Sequence, residues 1–229
     1  MATTKERPLP SLTESLADLG FDSNAEYDNL VDDITREADT KSMTDAADLL
    51  SGETSREEFT QAQADDELLE RHAGVVSFCA RNKGYITSEP YNPSEAVLLA
   101  HLFNEYRSAY LLKLEGHLEN YYQDEAFDKI PPEEIEEICR GEVPSLPTRL
   151  LASHFCEHVP FKDKALYRVE MDFRESYPEE DRTELLTLSD VEERFPGAGQ
   201  LMEQPQAEYL EFGNEDSHVK ITWTGRFAE

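Results

Sequence analysis

The pattern with the greatest chemical content is His154-Phe155-Cys156-Glu157-His158, which has the spacing H-x-x-E-H. On a helix, residues four apart share a face, so the imidazoles of His154 and His158 can reach one metal ion. Two such ligands suit zinc, and Glu157 would then act as general base on a zinc-bound water, the chemistry of a metal-dependent hydrolase. That chemistry needs a further carboxylate ligand downstream, and no acidic residue stands out in that role. A plainer reading puts Leu151 and Phe155 in a core and His158 near a helix C-terminus, where positive charge is favoured. The plainer reading leads. No catalytic, cofactor-binding or metal residue is therefore expected, with Glu157 as base and His154 and His158 as zinc ligands kept as the alternative.

Other constellations carry less. Cys139 lies fifteen residues before His154 without the paired C-x2-C knuckle of a structural zinc site, and on a helix Cys156 points away from His154 and His158. His72 and Cys79, seven apart on an apolar seam, read as a satisfied core histidine and a buried thiol. There is no G-x-S-x-G nucleophile elbow, no G-x-x-x-x-G-K-S/T loop and no G-x-G-x-x-G turn. The acid runs Asp32-Asp33, Asp65-Asp66, Glu136-Glu137 and Glu179-Glu180-Asp181 lack the spacing of a calcium loop and read as solvated faces.

The elements that would position these residues follow from periodicity and caps. Ser11-x-x-Glu14, Ser23-x-x-Glu26 and Ser55-x-x-Glu58 are capping boxes, with Gly20, Gly52 and Gly84 placed as stops. A short helix over Tyr27 to Ala38 places Leu30, Val31 and Ile34 on a narrow stripe, and Thr44 to Leu50 predicts another short turn. One longer helix is expected from Ser55 to Gly84. Asn92-Pro93-Ser94-Glu95 opens the longest helix, whose seam runs Leu99, Phe103, Tyr106, Tyr110, Leu114, His117 and Tyr121, widened by Leu98, Leu102, Ala109 and Leu112. Short helices are expected after Pro131-Pro132 and from Ser145 to Pro160. Strict alternation from Ala165 to Phe173 predicts a half-buried strand, with a second over Leu185 to Leu188 and a short helix capped by Ser189-x-x-Glu192. Tyr209–Phe212 and Val219–Trp223 around Gly213-Asn214-Glu215-Asp216-Ser217 predict a β-hairpin.

The fold class expected is therefore mainly α: a helical bundle body over about residues 10–160 and a small α+β C-terminal part containing the hairpin. Three segments follow. Residues 1–54 form an acidic short-helix segment, mobile or partner-docking; 55–160 form the helical core; 161–229 form the small α+β module.

Charge supplies the remaining expectations. The chain of 229 residues has 50 Asp and Glu against 21 Lys and Arg, a net charge of −29. Residues 1–70, 71–130 and 131–229 are net negative by 14, 2 and 13, so a near-neutral centre lies between acidic flanks. Such a chain repels nucleic-acid phosphates and anionic membrane surfaces. Only 8 residues are Lys against 33 Glu, the balance favoured where molar salt screens self-repulsion. Three cysteines give no disulfide framework, Ala96–Ala100 is the longest apolar run, and Met1-Ala2-Thr3-Thr4-Lys5 begins no secretory signal. The expectation is a non-enzymatic, halophilic adaptor, assembly factor or virus-type structural component, cytoplasmic or virion-associated. Its partner is another protein, with a basic surface in one version, and involves neither direct nucleic acid nor membrane. The alternatives are an acidic nucleic-acid mimic that inhibits a DNA- or RNA-binding enzyme, and the zinc hydrolase.

Overall fold

The structure, a computed structural model, describes residues 6–64, 67–87, 92–121, 130–139, 145–155, 165–172, 182–198, 209–213 and 217–228. The protein is mainly helical with a small antiparallel sheet built largely from the C-terminal part. It packs as two compact units. A sheet unit combines Met1–Leu19, Thr87–Ala100 and Leu146–Glu229, and a helical unit combines Gly20–Ile86 and His101–Ser145.

The helical unit begins with α2 (Asn24–Ser51), which follows α1 (Leu12–Asp18) of the sheet unit. Helix α2 is one continuous helix of 28 residues, where the sequence predicts two short ones. Its middle is rich in hydroxyl side chains that compete with the backbone in other settings. Here Thr40 Oγ1 donates to Arg36 O at 3.0 Å, Ser42 Oγ to Asp39 O at 2.9 Å and Thr44 Oγ1 to Thr40 O at 3.1 Å, so each is satisfied without breaking the helix. Leu30, Ile34, Ala38, Ser42, Ala46, Leu49 and Leu50 make the buried stripe. Gly52 ends the helix at φ 76°, a left-handed conformation that glycine adopts without a Cβ clash.

Helices α3 (Arg56–Ala64) and α4 (Glu67–Asn82) lie within the region predicted as one helix, of which residues 65 and 66 are outside the described residues. The Ser55–Glu58 box forms as expected, with Ser55 Oγ accepting from Glu58 N at 3.2 Å and donating to Glu58 Oε2 at 2.7 Å. The Ser23 box does not form. Glu26 Oε2 instead accepts from Asp22 N at 2.6 Å, and Ser23 makes no side-chain cap bond. Helix α5 (Pro93–Tyr121) contributes its His101–Tyr121 portion to this unit, and α6 (Pro132–Cys139) buries Ile135, Ile138 and Cys139. Leu112, predicted to widen the α5 seam, is 68% exposed.

In the sheet unit, the first two turns of α5 are buried all round from Ser94 to Ala100. Glu95 is accommodated there by hydrogen bonds from Thr87 N (3.0 Å), Thr87 Oγ1 (3.3 Å) and Asn92 N (3.3 Å), while Asn92 Oδ1 accepts from Glu95 N (2.8 Å). Ser94 Oγ donates to Asp18 Oδ2 at 2.9 Å, tying α1 to this helix start. Among the described residues no helix is long and apolar enough to cross a membrane.

Strands β1 (Glu6–Pro8), β2 (Ala165–Asp172), β3 (Arg182–Thr187), β4 (Tyr209–Gly213) and β5 (His218–Ala228) are all antiparallel to their neighbours. The order is β1-β5-β2-β3, and β4 lies on the same side of β5 as β1. Tyr167 and Val169 of β2 pair with Trp223 and Ile221 of β5 on the buried face, and the buried Met171 pairs with the half-buried Val219. Arg168, Glu170 and Asp172 alternate to the exposed face. Helix α7 (Thr148–Phe155) packs on β5, and α8 (Leu188–Arg194) on β2 and β3. Helix α8 is capped by Thr187, two residues before the predicted Ser189, through a Thr187–Asp190 box.

The β4–β5 hairpin is tight at Gly213, where a Cβ would lie 2.2 Å from Ser217 O and 2.9 Å from His218 Cα. Gly213→Ala is expected to force the two backbones apart and cost about 1–3 kcal/mol. Urea unfolding measures the loss, and hydrogen exchange over Tyr209–Gly213 locates it.

Candidate functional site

The predicted metal motif is only partly within the described residues. His154 lies in the last turn of α7, half-buried, with its ring 5.6 Å from that of Phe155 in an edge contact. Glu157, His158 and Cys156 lie outside the described residues. Among the described residues no group of three or more His, Cys, Asp or Glu is placed to hold a metal ion.

Cys79 and Cys139 are buried free thiols. Burial raises both, and acidic neighbours add to it: Glu37 and Asp33 near Cys79, Glu115 and Glu119 near Cys139, whose thiol is pushed up to about 12. A nucleophilic cysteine needs the opposite, an environment that favours thiolate. Of the acid runs, Glu136 and Glu137 are exposed on α6, as is Asp32 on α2. Asp33 is paired, with Arg36 at 3.0 Å and with Lys83. The runs Asp65-Asp66 and Glu179-Glu180-Asp181 lie outside the described residues.

The structure instead assembles a polar cluster in the helical unit from residues that the sequence does not mark as a group. Lys41 and Asp45 sit one turn apart on α2 and form an ion pair. Tyr110 of α5 donates to Asp45 Oδ2 at 2.7 Å in a buried bond. The ring of His72, on α4, lies 4.6 Å from that of Tyr110 and 4.9 Å from that of Tyr106, while the two tyrosine rings are parallel at 6.3 Å. His72, Tyr106 and Tyr110 are 0%, 0% and 1% exposed, and the Asp45 side chain 8%.

Burial sets the protonation of this cluster. It pushes the phenols of Tyr106 and Tyr110 well above the ordinary range, and the Asp45 carboxylate pushes them further. The sequence predicts a satisfied core histidine at His72. It is buried, but neither ring nitrogen has a hydrogen-bond partner, and the Tyr106 hydroxyl has none either. A general base must reach the proton it abstracts. An imidazole sealed from water therefore serves packing in this conformation. The one local signal of the cluster in the sequence is the Lys41–Asp45 spacing; the rest depends on three helices meeting.

Among exposed groups, Met43 (46%), Phe78 (65%) and Leu112 (68%) stand on α2, α4 and α5 of the helical unit. Leu185, Tyr209 and Phe212 are exposed in the sheet unit.

Tyr110→Phe leaves one oxygen of a nearly buried carboxylate without its donor and is expected to destabilise the chain by about 1–3 kcal/mol, read as a lower urea midpoint. The phenols give an alkaline counterpart. Tyr27 is pushed up to about 12 by burial and by Glu105 and Asp28, whereas unfolded tyrosine titrates near 10. Its contribution to stability is present below pH ~10 and lost as pH rises towards the folded value. Phenolate absorbance should accordingly lag behind that of the denatured chain between those pH values. Compared with known protein families, curated proteins and solved structures, the chain matches none.

Proposed function

We propose that this protein is a non-enzymatic interaction protein, an adaptor, assembly factor or virus-type structural component, working in high salt. The observation that carries the reading is the composition of the outward helix faces in the helical unit. Besides the buried Asp45, helix α2 has seven acidic and two basic residues around its apolar stripe, and α6 has four acidic and no basic residues around Ile135 and Ile138. In molar salt the screening length shrinks to about 3 Å, so neighbouring carboxylates cease to oppose folding and still hold water. The partner in this reading is a protein, with a basic surface where the carboxylate faces meet it directly. A membrane or a bare nucleic acid is disfavoured by the same charge. The expected setting is the cytoplasm or a virion.

The same carboxylate faces also support the nucleic-acid mimic as a second reading, and salt separates the two. Thermal unfolding is followed by circular dichroism from about 0.1 M to about 3 M KCl. Salt adaptation predicts a rising Tm, by about 2–4 °C for each kcal/mol of self-repulsion removed at this chain length. A Tm that stays flat or falls overturns the halophilic reading. Partner binding that survives molar salt supports the adaptor, whereas binding that weakens steeply supports the mimic. For the hydrolase alternative, elemental analysis of the purified protein is expected to find no stoichiometric zinc. One equivalent of zinc, lost in His154→Ala, would move the function to that alternative.

A further inference from the structure

We propose that His72 is an acid-triggered latch of the helical unit: uncharged, it lets α4 pack against α2 and α5, and once protonated it drives α4 out of that packing. The inference is independent of the function proposed above. An imidazolium has two N–H donors and a charge, and a buried site must supply acceptors and a counter-ion for them. At His72 the ring is fully buried and both nitrogens lack hydrogen-bond partners.

The charged and titratable groups that face it come from all three helices. From α2 come Asp45, which favours the cation, and Lys41, which opposes it. Its own helix presents Arg71, and α5 presents Arg107, both opposing, together with the rings of Tyr106 and Tyr110. Beyond Tyr106 stand Glu37 of α2 and Cys79 of α4. Asp45 is already engaged, through Oδ2 by the Tyr110 hydroxyl and through Oδ1 by Lys41. A proton on His72 would thus enter a dry site with three cations around it and one carboxylate already shared. The cheapest relief is hydration of the ring, which requires α4 to separate from α5 and α2.

The direction with pH follows. Burial is the main cause holding the closed ring down to about 4, while a hydrated ring titrates near 6.5. Between these values the open form binds the extra proton. Closure is therefore fully favoured above the upper value and lost progressively as pH falls towards the lower one.

Hydrogen exchange on the full chain, corrected for intrinsic rates, tests this. From pH ~7 to pH ~5 the opening constant over Glu67–Asn82 should rise roughly twentyfold in the wild type. The strands Ala165–Asp172 and His218–Ala228, with Trp223 fluorescence as a second reporter, should hold. In His72→Gln and His72→Phe, which cannot titrate, the rise in α4 opening should disappear. Unchanged α4 protection in the wild type, or an equal loss in both variants, overturns the latch. Should neither variant fold, imidazole NMR of the wild type decides. A His72 ring that stays neutral for as long as α4 stays protected supports the latch, and one that titrates near pH ~6.5 with α4 still protected overturns it.

Discussion

Apolar area has to leave water while nearly every carboxylate stays in it, and in a chain with net charge −29 the folded helices depend on that separation. Helix α2 shows how the balance falls. Asp28 with Asp32, and Asp33 with Glu37, are like-charge pairs four residues apart, each costing a few tenths of a kcal/mol. Leu30, Ile34, Leu49 and Leu50 are 0–5% exposed, and each contributes about 1.5–3 kcal/mol on burial. The stripe outweighs the repulsion several-fold. The scarce bases bridge to other helices, Lys83 to Asp33 and Arg56 to Glu134 at 2.5 Å, and His117 Nε2 lies 3.0 Å from Asp39 Oδ1.

Within that packing the polar cluster sets orientation more than energy. One hydroxyl–carboxylate bond joins α2 to α5, and the His72 ring occupies the space beside it from α4. Removing one partner of such a bond is costly, while the intact bond adds little net stability. Register among three helices is the more natural product of the arrangement. The two phenols and the Cys79 thiol nearby are pushed towards their neutral forms, so Asp45 is the nearly buried charge of the cluster and the half-exposed Lys41 is its ion-pair partner.

Local signals in the sequence were legible where the chain satisfies itself nearby. The Ser11–Glu14 and Ser55–Glu58 boxes, the Gly52 stop, the alternation of β2 and the β4–β5 hairpin all depend on residues within a few positions. Local patterns mislead where a nearer competitor or a distant partner intervenes. Glu26 turned to Asp22 N instead of Ser23, and Thr187 took the cap that Ser189 offered. Hydroxyls in α2 bonded back to the helix and removed an expected break. Of the candidate site, the seam bearing Tyr106 and Tyr110 was visible, as was the burial of His72. That Asp45 would meet Tyr110, or that His72 would go without a partner, required contacts some 30 to 65 residues apart.

Nothing in the sequence marks strand β1, because three residues carry no periodicity of their own. Its pairing of Glu6 with Ala228 joins positions 222 residues apart. Contacts of such separation form late, since a long loop must be closed before any hydrogen bond rewards it. The helical unit draws only on residues 20–86 and 101–145, whereas the sheet needs β5 as the common neighbour of β1, β2 and β4. During vectorial synthesis the helices can thus be complete while β2 still waits for its partner. Through that interval an alternating strand carrying Tyr167, Val169 and Met171 stays unpaired on its β5 side, and the surplus of negative charge then serves to keep nascent chains apart.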